Sequence, residues 1–83
     1  MSEQSSDVRG LIEQIAKSLV DKPEEVYVDE VPEDGEIVFE LEVAEDETGK
    51  IIGRHGRTVK AMRALVSATG VRPNKRYALE ILE

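Results

Sequence analysis

The chain has no cysteine and no tryptophan, and its aromatic side chains are one phenylalanine and two tyrosines. Without cysteine, neither disulfides nor thiolate metal sites can staple the fold, and the absence fits a reducing compartment. With so few rings, the stacking platforms that many single-strand binders use are not available. Long apolar runs are also missing, since none approaches the ~20 residues that span a bilayer. The opening residues MSEQSSD are polar and acidic, unlike a secretory signal. These absences point to a soluble cytoplasmic protein with no membrane association. The 83 residues support one domain with a thin core.

One sign of charge is absent from one stretch. Residues 48–79 contain no acidic side chain, although the chain carries 18 acids against 11 bases and a net charge of −7. The first 47 residues hold sixteen acids and three bases, whereas residues 48–79 hold eight bases: Lys50, Arg54, Arg57, Lys60, Arg63, Arg72, Lys75 and Arg76. Overall acidity argues against a nucleic-acid partner. Screening, however, limits each charge to about 8–10 Å, so the local field counts for more than the total.

Apolar spacing gives the element order. Val8, Leu11, Ile12, Ile15, Ala16, Leu19 and Val20 recur on one helical face, with N-cap candidates in Ser5-Ser6-Asp7. Pro23 stops this helix near Asp21-Lys22. Residues 24–31 are rich in β-formers, and Pro32-Glu33-Asp34-Gly35 signals a turn. Residues 36–43 alternate, with Ile37, Phe39, Leu41 and Val43 on one face and Glu36, Val38, Glu40 and Glu42 on the other. The two strands form a hairpin with an acidic outer face. That face is solvated and, as a hypothesis, repels nucleic acid. The acids Glu45, Asp46 and Glu47 open a short helix running to about Ile52. They are consecutive and do not converge on a cation. A further helix runs from Arg57 or Thr58 to Gly70, with Val59, Met62, Leu65 and Val66 on one side and Arg57, Lys60 and Arg63 roughly opposite. After a loop containing Pro73, residues 76–82 form a last strand with Tyr77, Leu79 and Ile81 on one face. The expectation is an α+β domain of order α-β-β-α-α-β, a three-stranded sheet with helices on one face. It occupies residues 7–83, behind a flexible segment at 1–6.

Between the two later helices lies Gly53-Arg54-His55-Gly56. Glycine permits close backbone approach and conformations closed to other residues. A helix starting just behind the loop aims free N–H groups at it, and the helix dipole favours an anion there. Arg54 offers a planar fork of donors. His55 donates when neutral and gains charge at lower pH. Alone, a glycine pair three residues apart also suits a helix-terminating turn. The flanks, Ile51-Ile52 before the loop and Lys50 and Arg57 around it, favour a grip on phosphate.

The stretch Gly49-Lys50-Ile51-Ile52-Gly53-Arg54-His55-Gly56-Arg57-Thr58 resembles the I-I-G-x-x-G signature of KH domains. The element order is similar to the type II KH fold, and the length to the small bacterial single-KH proteins of the KhpA family. The resemblance covers residues 7–82. It implies single-stranded RNA binding, with about four nucleotides clamped by the loop. By position, Gly53, Arg54, His55 and Gly56 would meet the phosphates, with Lys50, Ile52, Arg57 and Lys60 beside them. The bases would lie between the helix pair and the sheet edge. Ile52, Val59 and Met62 shape that groove or form core beneath it; the sequence leaves this open. The resemblance also implies self-association, pairing with a larger KH protein (KhpB), and a role as RNA chaperone or post-transcriptional regulator linked to cell shape and cell-wall biogenesis. One departure is the Arg-His pair where such loops often carry lysine.

Nothing in the sequence calls for a cofactor, a metal or catalysis. Gly49 and Gly53 are wrongly spaced for a P-loop, and no nucleophile–base pair surrounds the single histidine. A protein-binding adaptor with weak RNA binding of its own is the alternative reading.

Overall fold

Two residues, Asp34 and Gly35, reverse the chain between the first two strands. Both have positive φ, 42° and 78°, as in the tight hairpin turn whose twist matches its strands and which favours Asp-Gly. The computed structural model describes residues 3–69 and 76–82 and extends this hairpin into a three-stranded mixed sheet. Strands β1 (Tyr27–Glu33) and β2 (Glu36–Glu42) pair antiparallel. Strand β3 (Arg76–Ile81) pairs parallel with β2, so the spatial order is β1-β2-β3. Three helices, α1 (Glu3–Leu19), α2 (Thr48–Ile52) and α3 (Arg57–Thr69), complete the expected α-β-β-α-α-β order. A mixed sheet with helices packed against it is consistent with a type II KH fold.

The core lies between the helices and one face of the sheet. Val28, Phe39, Leu41, Tyr77 and Leu79 from the strands meet Val8, Ile12 and Ala16 of α1, Ile51 of α2, and Met62 and Val66 of α3. Phe39 and Leu41 are fully buried on the central strand; burying such a side chain contributes about 1.5–3 kcal/mol. Phe39 meets Tyr77 edge-on at a ring separation of 5.5 Å, a favoured aromatic geometry.

Several boundaries differ from the sequence expectation. Helix α1 begins at Glu3, so Ser5, Ser6 and Asp7 lie within it and do not cap it; Ser5 is buried. The apolar stripes are narrower than their spacing suggests, because Leu11 and Leu19 on α1 and Leu65 on α3 are exposed. Strand β1 starts at Tyr27, after a single 3-10 turn at Pro23–Glu25. It then continues through Pro32, which an edge strand tolerates because a missing N–H there breaks no ladder bond. The α3 terminus expected at Gly70 and the loop containing Pro73 lie outside the described residues.

Among the described residues, no helix covers the other face of the sheet. Val38 is nevertheless buried there, in register with Val31 and Ala78. One step along, Asp29, Glu40 and Glu80 align in a single row across all three strands. Directly opposed like charges are destabilising, so this acidic row is not explained by stability.

Candidate nucleic-acid interface

Helix α2 has five residues and stops at Gly53, whose N–H donates to the Gly49 carbonyl at 2.9 Å. Gly53 has φ 76° and ψ 171°, a region that only glycine visits at low cost. Space imposes the same choice. A Cβ on Gly53 would lie 2.7 Å from the Thr58 Cβ and 3.0 Å from the Thr58 nitrogen. The loop therefore folds directly onto the first turn of α3.

From Gly53 the chain makes one tight turn, Arg54–Gly56, closed by the Gly56 N–H donating to the Gly53 carbonyl at 3.1 Å. His55 (φ 57°) and Gly56 (φ 73°) are both left-handed. The turn leaves the Arg54 and His55 side chains exposed, and Arg57 and Lys60 are exposed on the helix that follows. Among the described residues, none of these four side chains makes a hydrogen bond or ion pair. The Arg57 N–H already donates to the Arg54 carbonyl, but the dipole of α3 is positive at this end. Exposed cations and a helix N-terminus thus converge on one turn.

The other predicted positions divide. Ile52 is half-buried beside the loop. Val59 and Met62 are buried, which settles them as core. Lys50 is engaged at the surface by acids of its own chain: its ammonium donates to the Asp21 carboxylate at 2.6 Å and lies 3.5 Å from Glu47. The hydrogen bond from Lys50 holds the Asp21 carboxyl below its ordinary value, and Asp21 raises Lys50 in return. Arg63 departs from its neighbours because its Nε donates to the Leu79 carbonyl at 3.4 Å. Arg76 is exposed in register with Glu36, while Arg72 and Lys75 lie outside the described residues.

Three residues that matter to the loop are not apparent from spacing. Thr58 supplies the wall against Gly53. Glu47 is 3% exposed and accepts from the Asp21 and Lys22 N–H groups at 2.7 and 3.3 Å. It therefore does more than complement the dipole of α2. Asp21, 29 positions before Lys50, pairs with it. Only Thr58 has a sequence signal, its place directly behind the motif.

Two concavities, of about 470 and 350 Å³, lie elsewhere: one beside Tyr27, Val43 and Thr48, the other at the hairpin tip beside Ile37 and Tyr77. Neither is lined by residues 53–56. Among the described residues no three His, Asp or Glu side chains group as a metal site. Nor, among the described residues, is any helix long and apolar enough to cross a membrane.

Known proteins resemble this chain over most of its length. The family model described as KhpA/KhpB, KH domain matches residues 9–81. The RNA-binding protein KhpA of Clostridium perfringens is 47% identical over 75 residues, 90% of this chain and 100% of the relative. The protein of the same name from Chlamydia trachomatis is 51% identical over 69 residues, covering 83% of this chain and 88% of its own. That of Treponema pallidum is 47% identical over 73 residues, or 88% and 91% of the two chains. No solved structure matches at a significant level. A match that runs through the helix–loop–helix and both flanking strands is a match to the whole fold, and the chain belongs to the KhpA/KhpB family of KH-domain proteins.

Proposed function

We propose that this protein binds single-stranded RNA and grips the sugar–phosphate backbone with residues 53–56. One observation carries the reading: an exposed cationic turn whose side chains have no partner among the described residues sits at the N-terminus of α3. Phosphate is the ligand such an arrangement favours. Gly53 and Gly56 give the backbone its close approach, Arg54 and His55 donate, and Arg57 and Lys60 extend the field. Ile52 borders the groove for the bases, between the helix pair and the sheet edge. Lys50 is the eighth member of this set and would have to leave Asp21 to reach a phosphate.

The relatives are named as RNA-binding proteins, and we read this chain as a binding module rather than an enzyme. In the cell it would act as an RNA chaperone or post-transcriptional regulator in the cytoplasm, with effects on cell shape and cell-wall biogenesis. A domain that reaches only ~3–4 phosphates binds weakly, with a salt slope of roughly −2 to −3. Pairing with a second copy or with a larger KH protein raises avidity. Exposed Leu11, Leu19 and Leu65 supply apolar surface for such pairing, and this surface also supports the adaptor reading.

The test is Arg54→Asp with His55→Asp, titrated with a single-stranded RNA oligonucleotide. Binding is abolished, while circular dichroism and the melting temperature stay as in the parent. A variant that still binds RNA with parental affinity rules out the loop as the grip.

A further inference from the structure

An N-cap residue ordinarily turns its side chain onto the first N–H groups of its own helix. Glu47 occupies that place before α2 and makes no such bond. Its carboxylate is buried and reaches 26 positions back along the chain, to the Asp21 N–H at 2.7 Å. It also accepts from the Lys22 N–H at 3.3 Å. Those two amides follow the end of α1. Lys50, one turn into α2, lies 3.5 Å from the same carboxylate and 2.6 Å from that of Asp21. A buried carboxylate is tolerated only with partners of this kind.

A helix of five residues does not hold itself in water, so α2 takes its direction from whatever grips it. Ile51 is one grip, buried in the core. The Glu47 anchorage is the other, at the end of α2 opposite Gly53. The rise of a helix places Gly53 only ~9 Å from Glu47, so a tilt at the anchor is transmitted to the loop. We infer that Glu47 is a positioning residue for the backbone grip: through α2 it fixes residues 53–56 against α3, with Lys50 as its counter-charge. The inference rests on the RNA-binding reading above.

The experiment uses the full chain and a labelled single-stranded RNA of roughly twelve nucleotides, about three times the length that one KH domain clamps. Glu47→Gln is compared with Val8→Ala, a core truncation that lowers stability about three helical turns before the end of α1. If Glu47→Gln leaves the loop competent only about a tenth of the time, Kd rises about tenfold. Hydrogen exchange of amides 48–56 then quickens. Val8→Ala changes neither, because the folded fraction remains near unity. Glu47→Asp, which keeps the charge but shortens its reach, supplies the same comparison should Glu47→Gln not fold.

The inference is overturned if the Glu47 variants match Val8→Ala in affinity and in exchange at 48–56. It is equally overturned if neither Glu47 variant folds, since the residue is then structural throughout. The Arg54→Asp/His55→Asp protein keeps the two failures apart. If it binds RNA, the RNA-grip reading itself has failed; if it does not, a silent Glu47→Gln removes only the positioning role.

Discussion

The two ends of α2 treat charge in opposite ways. At its start, Glu47, Lys50 and Asp21 are held in a short network, and Lys22 pairs with Asp46 beside it. At its end, Arg54, His55 and Arg57 have no partner among the described residues. Acids outnumber bases 18 to 11 in this chain, so a shortage of carboxylates does not explain the bare end. One of the acids, Glu47, fixes backbone, and among the described residues none pairs with the cations of the turn. An unpaired cation at a helix N-terminus loses field stabilisation in the free protein. That loss is recovered when an anion binds.

The comparison breaks most sharply at Gly53. Alanine there must adopt a glycine-only conformation, costing about 1–3 kcal/mol. It must also displace Thr58, which adds overpacking strain of about 1–3 kcal/mol. At Gly56, φ is also positive but a Cβ meets open space, so only the backbone strain of about 1–2 kcal/mol applies. Gly53→Ala is therefore the more destabilising of the two by about 1–3 kcal/mol in urea denaturation, and it abolishes RNA binding. Equal losses would mean that the packing of the loop onto α3 is not what holds it.

How much of this was legible depended on how local the signal was. The loop was visible because glycine, cation and helix onset sit within a few residues of one another. The hairpin was visible because Asp-Gly and a period-2 alternation agree. What stayed hidden was long-range. Nothing near Glu47 shows that its carboxylate turns back to Asp21, and a run of three acids reads equally well as a solvated helix start. Leu65 illustrates the converse failure: periodicity places it on the apolar side of α3, but it falls at the margin of that stripe and is exposed. Arg63 looked like a companion of Lys60 until β3 offered it a carbonyl.

The bare turn can also be set against the open face of the sheet. There Asp29, Glu40 and Glu80 stand in one row, and opposed like charges cost roughly 0.2–1 kcal/mol per pair. Glu40→Lys with Glu42→Lys turns that cost into attraction, so the variant is expected to gain up to about 1 kcal/mol of stability. It should also bind RNA of unrelated sequence more tightly, by about threefold at low salt. The gain should disappear on adding salt, because it is a field effect. Unchanged RNA binding would show that the acidic face does not keep nucleic acid on the loop side.

The smallest expected effect lies at the charged start of α2, where pH reads the Asp21–Lys50 pair directly. The hydrogen bond from Lys50 lowers the Asp21 carboxyl from 3.8. A lowered acid contributes stability that is present above its unfolded value and is lost as pH falls through its folded value. Lys50 is raised from 10.5, chiefly by Asp21. Its contribution is present below 10.5 and is lost as pH rises through the higher folded value. The stability difference between the parent and Asp21→Asn should therefore be flat across neutral pH and close at both extremes, below 3.8 and above 10.5. The Asp21 side chain is 83% exposed, and exposed pairs contribute little, so the difference is small and shrinks further in salt. Thermal melts of the two proteins across pH check this. A difference that survives in acid would mean that Asp21 acts by something other than its charge, and the contrast between the two ends of α2 would then rest on the buried carboxylate of Glu47 alone.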